Sequence, residues 1–162
     1  MIIEEARKEH VEALFELTND FFPYIEPTLE TILDRLESEN IFYLVALIKK
    51  EVVGFVDVEF CNACFFKELH ELKKGECSCD GLQAKILGLA VKKEFQGEGI
   101  GTKLLKAALF LAKKQRAGSV VILVTVDNKK AQKLYEEIGF KQKGVLERRI
   151  GGKEILFYFK KN

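Results

Sequence analysis

Apolar residues follow two different spacings along this chain. Runs of strand length occur at about 2–6, 41–48, 52–60, 83–91, 120–126, 140–147 and 154–159. Apolar positions three and four residues apart predict helices after residue 6, over 29–37, from about 101 to 115 and after residue 128. Only the polar turn 49–51 separates the second and third runs, so these are expected to form an antiparallel hairpin.

Length and composition agree with a single domain over residues 1–162. The chain is 48% apolar, and no linker rich in Pro, Gly or Ser divides it. Its 26 Lys and Arg nearly balance its 25 Asp and Glu, so no net field would draw it to nucleic acid or to a membrane. The sequence shows no apolar stretch of membrane-spanning length and no signal peptide, which predicts a cytoplasmic protein.

A glycine-rich loop joins the run 83–91 to the helix after it. Glycines let bare backbone approach a ligand, and the N–H groups at a helix N terminus favour a phosphate or pyrophosphate. Gly101 is followed by threonine and then lysine, the reverse of the order in an ATP-binding Walker loop. The dinucleotide fingerprint fails because its third glycine would fall on Thr102. What remains is Q-x-x-G-x-G, beginning at Gln96, which predicts a phosphate-bearing cofactor.

A second block of the sequence, between residues 120 and 140, has the pattern of a strand followed by a helix. The β-branched run 120–126 ends at Asp127 and Asn128, and either residue can cap the helix that follows. That helix carries apolar residues on one face and ends at Gly139, a residue type typical of helix C termini. The block therefore has the order strand, then N-x-x-A-x-x-L-Y-x-x-x-G-F.

The loop and the second block resemble the two hallmark motifs of the GNAT superfamily of N-acetyltransferases, in the same order. The resemblance implies a mixed α/β fold, a central twisted mixed sheet flanked by helices, with acetyl-CoA as the cosubstrate. In that fold the strands that end near Leu89 and Val126 run parallel but separate, which leaves a cleft for pantetheine. The residues that would hold acetyl-CoA are Leu89, Ala90 and Val91 through their backbone, Gln96, Gly97, Glu98, Gly99, Ile100, Gly101 and Thr102 around the pyrophosphate, and Asn128 on the pantetheine arm.

Tyr135 is the residue that the resemblance marks as catalytic. It lies seven residues after Asn128, about two helical turns, so both residues fall on one face of the helix. By resemblance its phenol would donate a proton to the departing sulfur, as a general acid. Without the resemblance, an aromatic residue on the apolar face of a helix would be interpreted as part of the core.

The implied reaction moves an acetyl group from acetyl-CoA to a primary amine by direct attack in a ternary complex. A small molecule, a peptide N terminus and a lysine side chain all remain open as the acceptor, and a homodimer is left open as well. Neither a nucleic acid nor a membrane is expected as a partner.

The general base of the family does not carry over to this sequence. Its positions fall on Lys85 or Gly88 in one strand and on Leu123 in another, and none of these is a carboxylate. A water chain could take the proton instead, or an acid from the set Glu59, Glu26 and Asp80. The departure leaves open an alternative function, a catalytically silent regulatory module that binds acyl-CoA and zinc.

All four cysteines lie in a segment at about 61–82, where a compact relative has only a short hairpin connection. The segment is therefore expected to be a cysteine-rich insertion. Its thiols, Cys61, Cys64, Cys77 and Cys79, have spacings that can close a tetrahedral structural zinc site. Two disulfides or plain buried thiols are the alternatives.

Overall fold

The computed structural model describes residues 1–62 and 81–162. Within these ranges the chain forms seven β-strands and four α-helices. The strands are β1 (Ile2–Glu5), β2 (Ile41–Ile48), β3 (Glu51–Asn62), β4 (Leu82–Val91), β5 (Ser119–Thr125), β6 (Lys141–Ile150) and β7 (Lys153–Lys161). The helices are α1 (Val11–Phe21), α2 (Leu29–Leu36), α3 (Ile100–Lys114) and α4 (Lys129–Glu137).

The strands form one sheet in the order β1-β2-β3-β4-β5-β7-β6. The pairs β1–β2, β2–β3, β5–β7 and β6–β7 are antiparallel, whereas β4 and β5 are parallel. The parallel pairing runs from Gln83 opposite Ser119 to Ile86 opposite Ile122. The mixed α/β fold expected from the sequence is thereby confirmed, and so is the hairpin of β2 and β3.

The chain divides into two compact units, residues 1–59 with 87–110 and residues 60–86 with 111–162. We call them the first and the second unit. The expected single domain stays a prediction.

The core of the first unit lies between its helices α1 and α2 and its strands. Leu14 and Leu17 of α1 and Ile32 of α2 are each at most 2% exposed and belong to one cluster with Tyr43 and Phe55. These helices are short, so burial of one apolar face, rather than helix propensity, supplies most of their stability.

The core of the second unit is built mainly from strand residues. Its cluster joins Val121 of β5, Leu146 of β6 and Ile155 and Phe157 of β7. Cys61, at the end of β3, packs into the same cluster and is 8% exposed. Alternating inward positions on neighbouring antiparallel strands explain why apolar residues from three strands meet here.

The last two strands are longer than the sequence predicts. β6 extends to Ile150 because the turn of Gly151 and Gly152 closes a tight hairpin that keeps the ladder paired up to Lys153. β7 extends to Lys161 because its far end pairs with β5, Lys161 opposite Ser119. Both glycines have positive φ, +55° and +77°, a conformation that other residues adopt at a cost.

The expected cysteine-rich insertion at about 61–82 stays a prediction, because most of it lies outside the described residues. β3 continues to Asn62 and β4 begins at Leu82, while residues 63–80 lie outside the described ranges. Among the described residues, no helix is both long and apolar enough to cross a membrane.

Candidate active site

The second half of β4 belongs to the first unit and carries three of the residues predicted to bind acetyl-CoA. Ala90 is buried at 2% exposure, whereas Leu89 and Val91 are partly exposed. β4 lies very close to β3 at this point, since a Cβ added to Gly54 would lie 2.7 Å from the Ala90 carbonyl oxygen. The N–H of Lys92 donates to the Val53 carbonyl at 2.9 Å, so this end of β4 is fixed to its neighbour.

The glycine loop that follows β4 is open to solvent. Gly97 and Gly99 are exposed with φ of +89° and +74°, and nothing lies within 4 Å of a Cβ placed on either. The Gln96 side chain donates from Nε2 to the Val91 carbonyl at 2.9 Å, which ties the loop to the end of β4. Positive φ explains why glycine stands at these two positions, and bare exposed backbone is what a pyrophosphate needs in order to approach.

The N terminus of α3 completes this part of the site. The helix begins at Ile100, one residue before the predicted start, and the N–H of Lys103 donates to the Gly99 carbonyl at 3.1 Å. The N–H groups of Ile100, Gly101 and Thr102 precede this bond, so the helix itself provides no acceptor for them. Together with the helix dipole, they form a backbone site that favours an anion.

Asn128 lies in the second unit, directly before α4, and caps that helix. Its Oδ1 accepts from the N–H of Ala131 at 3.1 Å. The cap uses the oxygen of the amide, so the side-chain nitrogen is the atom that can donate to a ligand carbonyl. The preceding residue, Asp127, forms an ion pair with Lys153 at the start of β7.

Tyr135 lies in α4, also in the second unit, and is 6% exposed. Its ring packs against Phe140 at 6.1 Å and Tyr158 at 6.0 Å between centroids. Burial raises the pKa of the Tyr135 phenol above its ordinary value. The hydroxyl therefore keeps its proton at physiological pH and can act as a donor, although the same burial would equally suit a core tyrosine.

The positions at which the family carries a base hold no carboxylate. They are Lys85 and Gly88 in β4 and Leu123 in β5. Of the three acids considered from sequence, Glu59 is half-buried, Glu26 is exposed and Asp80 lies outside the described residues.

Asp57, a buried acid of β3 in the first unit, was not among the residues predicted from the sequence. It is 4% exposed and accepts a hydrogen bond at 2.5 Å from Arg35 of α2. Burial raises the pKa of the Asp57 carboxyl to about 6, although the neighbouring Arg35 guanidinium lowers it. A signal was available in the sequence, because an acidic residue inside a β-branched apolar run must either face solvent or find a partner.

The predicted zinc ligands are only partly within the described residues. Cys61 lies in the apolar cluster of the second unit, while Cys64, Cys77 and Cys79 lie outside the described ranges. Over residues 1–62 and 81–162 no group of three or more metal-ligating side chains occurs. The zinc site stays a prediction.

Comparison with known proteins decides the family. The sequence profile of the acetyltransferase (GNAT) family matches residues 11–140, which is most of the chain. The chain belongs to the GNAT family. This GNAT protein is 31% identical over 150 residues to an N-alpha-acetyltransferase of Sulfurisphaera tokodaii, with 89% of this chain and 82% of that protein covered. It is 42% identical over 59 residues to N-alpha-acetyltransferase 30 of Schizosaccharomyces pombe.

The fold of this GNAT protein is shared with solved structures over nearly its whole length. The match to Arabidopsis thaliana NAA60, crystallised with a bisubstrate analogue, has a TM-score of 0.84 and 19% identity and covers 99% of this chain and 97% of that one. The match to the S. pombe protein is shorter and spans 36% of this chain and only 39% of that protein.

Proposed function

We propose that this chain is an N-acetyltransferase that moves the acetyl group of acetyl-CoA to the amine at a peptide N terminus. The observation that carries the proposal is the open glycine loop with φ of +89° and +74° before the N terminus of α3. Membership of the GNAT family supports acetyl-CoA as the anion that this backbone site takes.

The loop and β4 have separate roles in holding acetyl-CoA. The N–H groups of residues 96–102 bind the pyrophosphate, and the backbone of Leu89, Ala90 and Val91 pairs with the pantetheine arm. Pairing with a strand edge fixes the thioester carbonyl by hydrogen bonds to backbone rather than to mobile side chains. The amide nitrogen of Asn128 donates to the same arm while its oxygen caps α4.

The chemistry follows from an already activated thioester. The neutral amine nitrogen attacks the thioester carbon in a ternary complex, the C–S bond breaks, and the sulfur takes a proton from the Tyr135 hydroxyl. The nitrogen loses one N–H proton to solvent as it becomes an amide, and solvent returns a proton to the Tyr135 phenolate. Protonation of the leaving sulfur lowers the barrier to C–S cleavage, which is general-acid catalysis. The raised pKa of Tyr135 keeps the proton in place until then.

A peptide N terminus is the preferred acceptor class for two reasons. The relatives from S. tokodaii and S. pombe both bear the name N-alpha-acetyltransferase. In the first unit, the connection between α1 and α2 and the first residue of α2 expose three large apolar side chains, Tyr24, Ile25 and Leu29, at 55%, 45% and 48%. An exposed apolar group of this kind suits the first side chains of a peptide better than a highly charged small molecule.

The alternative is a catalytically silent module that binds acyl-CoA. It is favoured by the missing carboxylates at Lys85, Gly88 and Leu123. Turnover separates the two functions, since both bind acetyl-CoA and only the enzyme releases CoA thiol when an amine is supplied.

The test of the proposed function measures the transfer of the acetyl group to a peptide. A peptide that contains lysine is offered with a free and with a blocked N terminus, and mass spectrometry locates the added acetyl group. Acetylation of the free N terminus alone is the expected result, and modification of lysine in both peptides would contradict the acceptor class.

A matched pair of glycine variants tests the binding site. Gly99→Val should abolish most acetyl-CoA affinity in calorimetry, because a side chain would strain the backbone at φ of +74° and crowd the pyrophosphate. Gly152→Val is the control, since Gly152 has nearly the same φ of +77° and open space around it but lies in the β6–β7 turn. Equal affinities in both variants would contradict the site.

We further propose a structural zinc on the four cysteines. Metal analysis of protein purified without chelator should give about one zinc per chain, as a four-thiolate site requires. Absence of metal, with free thiols or disulfides instead, would reject it.

A further inference from the structure

The carboxylate of Asp57 occupies space that a side chain at residue 88 would need. A Cβ built on Gly88 would lie 2.8 Å from Asp57 Oδ1 and 3.3 Å from the Phe22 ring. Residue 88 is one of the two β4 positions at which members of the family often carry a carboxylate base and this chain does not. A carboxylate from β3 therefore stands where a β4 carboxylate was expected, and it can stand there because residue 88 is glycine.

The two oxygens of this carboxylate have different surroundings. Oδ2 accepts from Arg35 Nη2 at 2.5 Å. Oδ1 is buried, and no hydrogen-bond partner for it exists within residues 1–62 and 81–162. An unsatisfied buried carboxylate oxygen is costly, so a fold that keeps one has a reason outside its own packing. The unused lone pairs of Oδ1 can accept a proton or a hydrogen bond from a ligand.

A chain of aromatic contacts links this oxygen to the exposed apolar group in the same unit. The Phe22 ring lies beside Gly88 and contacts the Tyr24 ring edge-on at 6.4 Å between centroids. Tyr24 is 55% exposed, and partial burial of its phenol and, to a smaller extent, the charge of the nearby Asp57 carboxylate raise its pKa. Phe22 and the bare backbone of Gly88 thus lie between Asp57 and the exposed Tyr24, along which a peptide would bind.

We propose that Asp57 accepts the proton that the acceptor ammonium must lose before it attacks acetyl-CoA. One N–H bond of the R–NH₃⁺ group breaks, the electron pair stays on nitrogen, and the proton forms the O–H bond of a carboxylic acid at Oδ1. The neutral amine then attacks the thioester, and the carboxylic acid returns the proton to solvent. The proposal rests on the proposed acetyl transfer and supplies its missing base.

The charged and titratable groups facing Asp57 suit this role. They are Arg35 from α2, Tyr43 from β2 and Tyr24 from the α1–α2 connection. Burial of the carboxylate opposes its ionisation and raises its pKa to about 6, while the Arg35 guanidinium limits the rise. A carboxylate with a pKa near 6 is ionised at neutral pH and is a stronger base than an ordinary one.

The competing role for Asp57 is a purely structural ion pair with Arg35, and the nature of the acceptor separates the two. One peptide is offered with an ordinary N-terminal amine, and the same peptide with an N-terminal aminooxy group, which is neutral at neutral pH and needs no deprotonation. Asp57→Asn should lower kcat for the ordinary amine by roughly a hundredfold or more, and far less for the aminooxy peptide. Equal losses for both peptides, or no loss, would overturn the proposal.

Two further variants make the result independent of a folding defect. Gly88→Ala keeps every charge but forces Asp57 or Phe22 aside, so it should show the same selective loss for the ordinary amine. Glu59→Gln removes a carboxylate from the same strand two residues away and should leave the ratio of the two rates unchanged. A selective loss in Glu59→Gln instead would assign the base to Glu59.

The pH profile provides a second readout. Turnover of the wild-type protein with the ordinary amine should fall as the pH drops through about 6, where Asp57 takes up a proton, and Asp57→Asn should lack this step. A wild-type protein that binds acetyl-CoA but acetylates neither peptide would contradict the proposed function itself. Normal acetylation without a selective defect in Asp57→Asn would contradict this inference alone.

Discussion

Arg35 donates from Nη2 to Oδ2 of Asp57 at 2.5 Å and so joins α2 to β3 in the first unit. The Asp57 side chain is 5% exposed, whereas 27% of the Arg35 side chain reaches solvent. Arg35 also lies over the Tyr43 ring at 5.6 Å, which holds the guanidinium from a second side. The exposed part of the pair is thus the cation, and the carboxylate bears most of the desolvation.

This asymmetry predicts how stability depends on pH. The folded protein holds the pKa of Asp57 at about 6, above the ordinary 3.8, so it binds the proton more tightly than the unfolded chain does. The contribution of Asp57 to the free energy of unfolding is therefore fully present below 3.8 and is lost as the pH rises through about 6. The loss should be on the order of 3 kcal/mol.

Urea denaturation at several pH values between about 4 and 7 measures this loss, by linear extrapolation to water. The wild-type protein should lose stability over this interval relative to Asp57→Asn, because the variant has no titrating group at residue 57. Parallel curves for the two proteins would show that the carboxylate is not perturbed.

Asn128 is expected to cap α4 with its side-chain oxygen and to donate to acetyl-CoA with its side-chain nitrogen. Asn128→Asp keeps an oxygen that can accept from the Ala131 N–H, and its charge suits a helix N terminus, so stability should be preserved. The same change removes the amide nitrogen, so acetyl-CoA affinity should fall. Asn128→Ala should lose both affinity and roughly 1 kcal/mol of stability. Calorimetry and denaturation on both variants test this, and full affinity in Asn128→Asp would exclude the donor role.

Tyr135→Phe removes a hydroxyl and retains the ring packing against Phe140. Turnover should fall by roughly ten- to a thousandfold, the size expected for one general acid. Tyr158→Phe is the matched control, because the Tyr158 hydroxyl is likewise in the second unit but donates to Glu136 at 2.9 Å. That variant should lose about 1 kcal/mol of stability and no turnover. Similar turnover in the two variants would make Tyr135 a packing residue.

Gly54→Ala tests whether acetyl-CoA binding depends on the close approach of β3 to β4. The added Cβ would lie 2.7 Å from the Ala90 carbonyl oxygen, a backbone atom that can move only with its strand. We expect a loss of about 1–3 kcal/mol in stability and a weaker Kd for acetyl-CoA. Gly118→Ala is the control, because its nearest neighbour, the Leu82 carbonyl, lies at 3.9 Å. An unchanged Kd in Gly54→Ala would show that β4 adapts without affecting the site.

The sequence alone determined the order of the elements and the family. Apolar spacing placed the strands and helices within a few residues, because each element must bury one face and its period is fixed by backbone geometry. The glycine loop was also visible, since a positive φ at Gly99 leaves a direct trace in the choice of residue. These features depend on neighbours along the chain, which the sequence displays.

Asp57 was found only in the tertiary structure. Along the chain it lies 22 residues from Arg35, its ion-pair partner, and 31 from Gly88, so no local pattern connects the three residues. The sequence shows only a glycine at residue 88 of β4. In the folded chain the Asp57 carboxylate of β3 occupies the space where a side chain of residue 88 would lie. Sheet register and the packing of α2 decide which side chains meet, and both are set by contacts between residues far apart in the sequence.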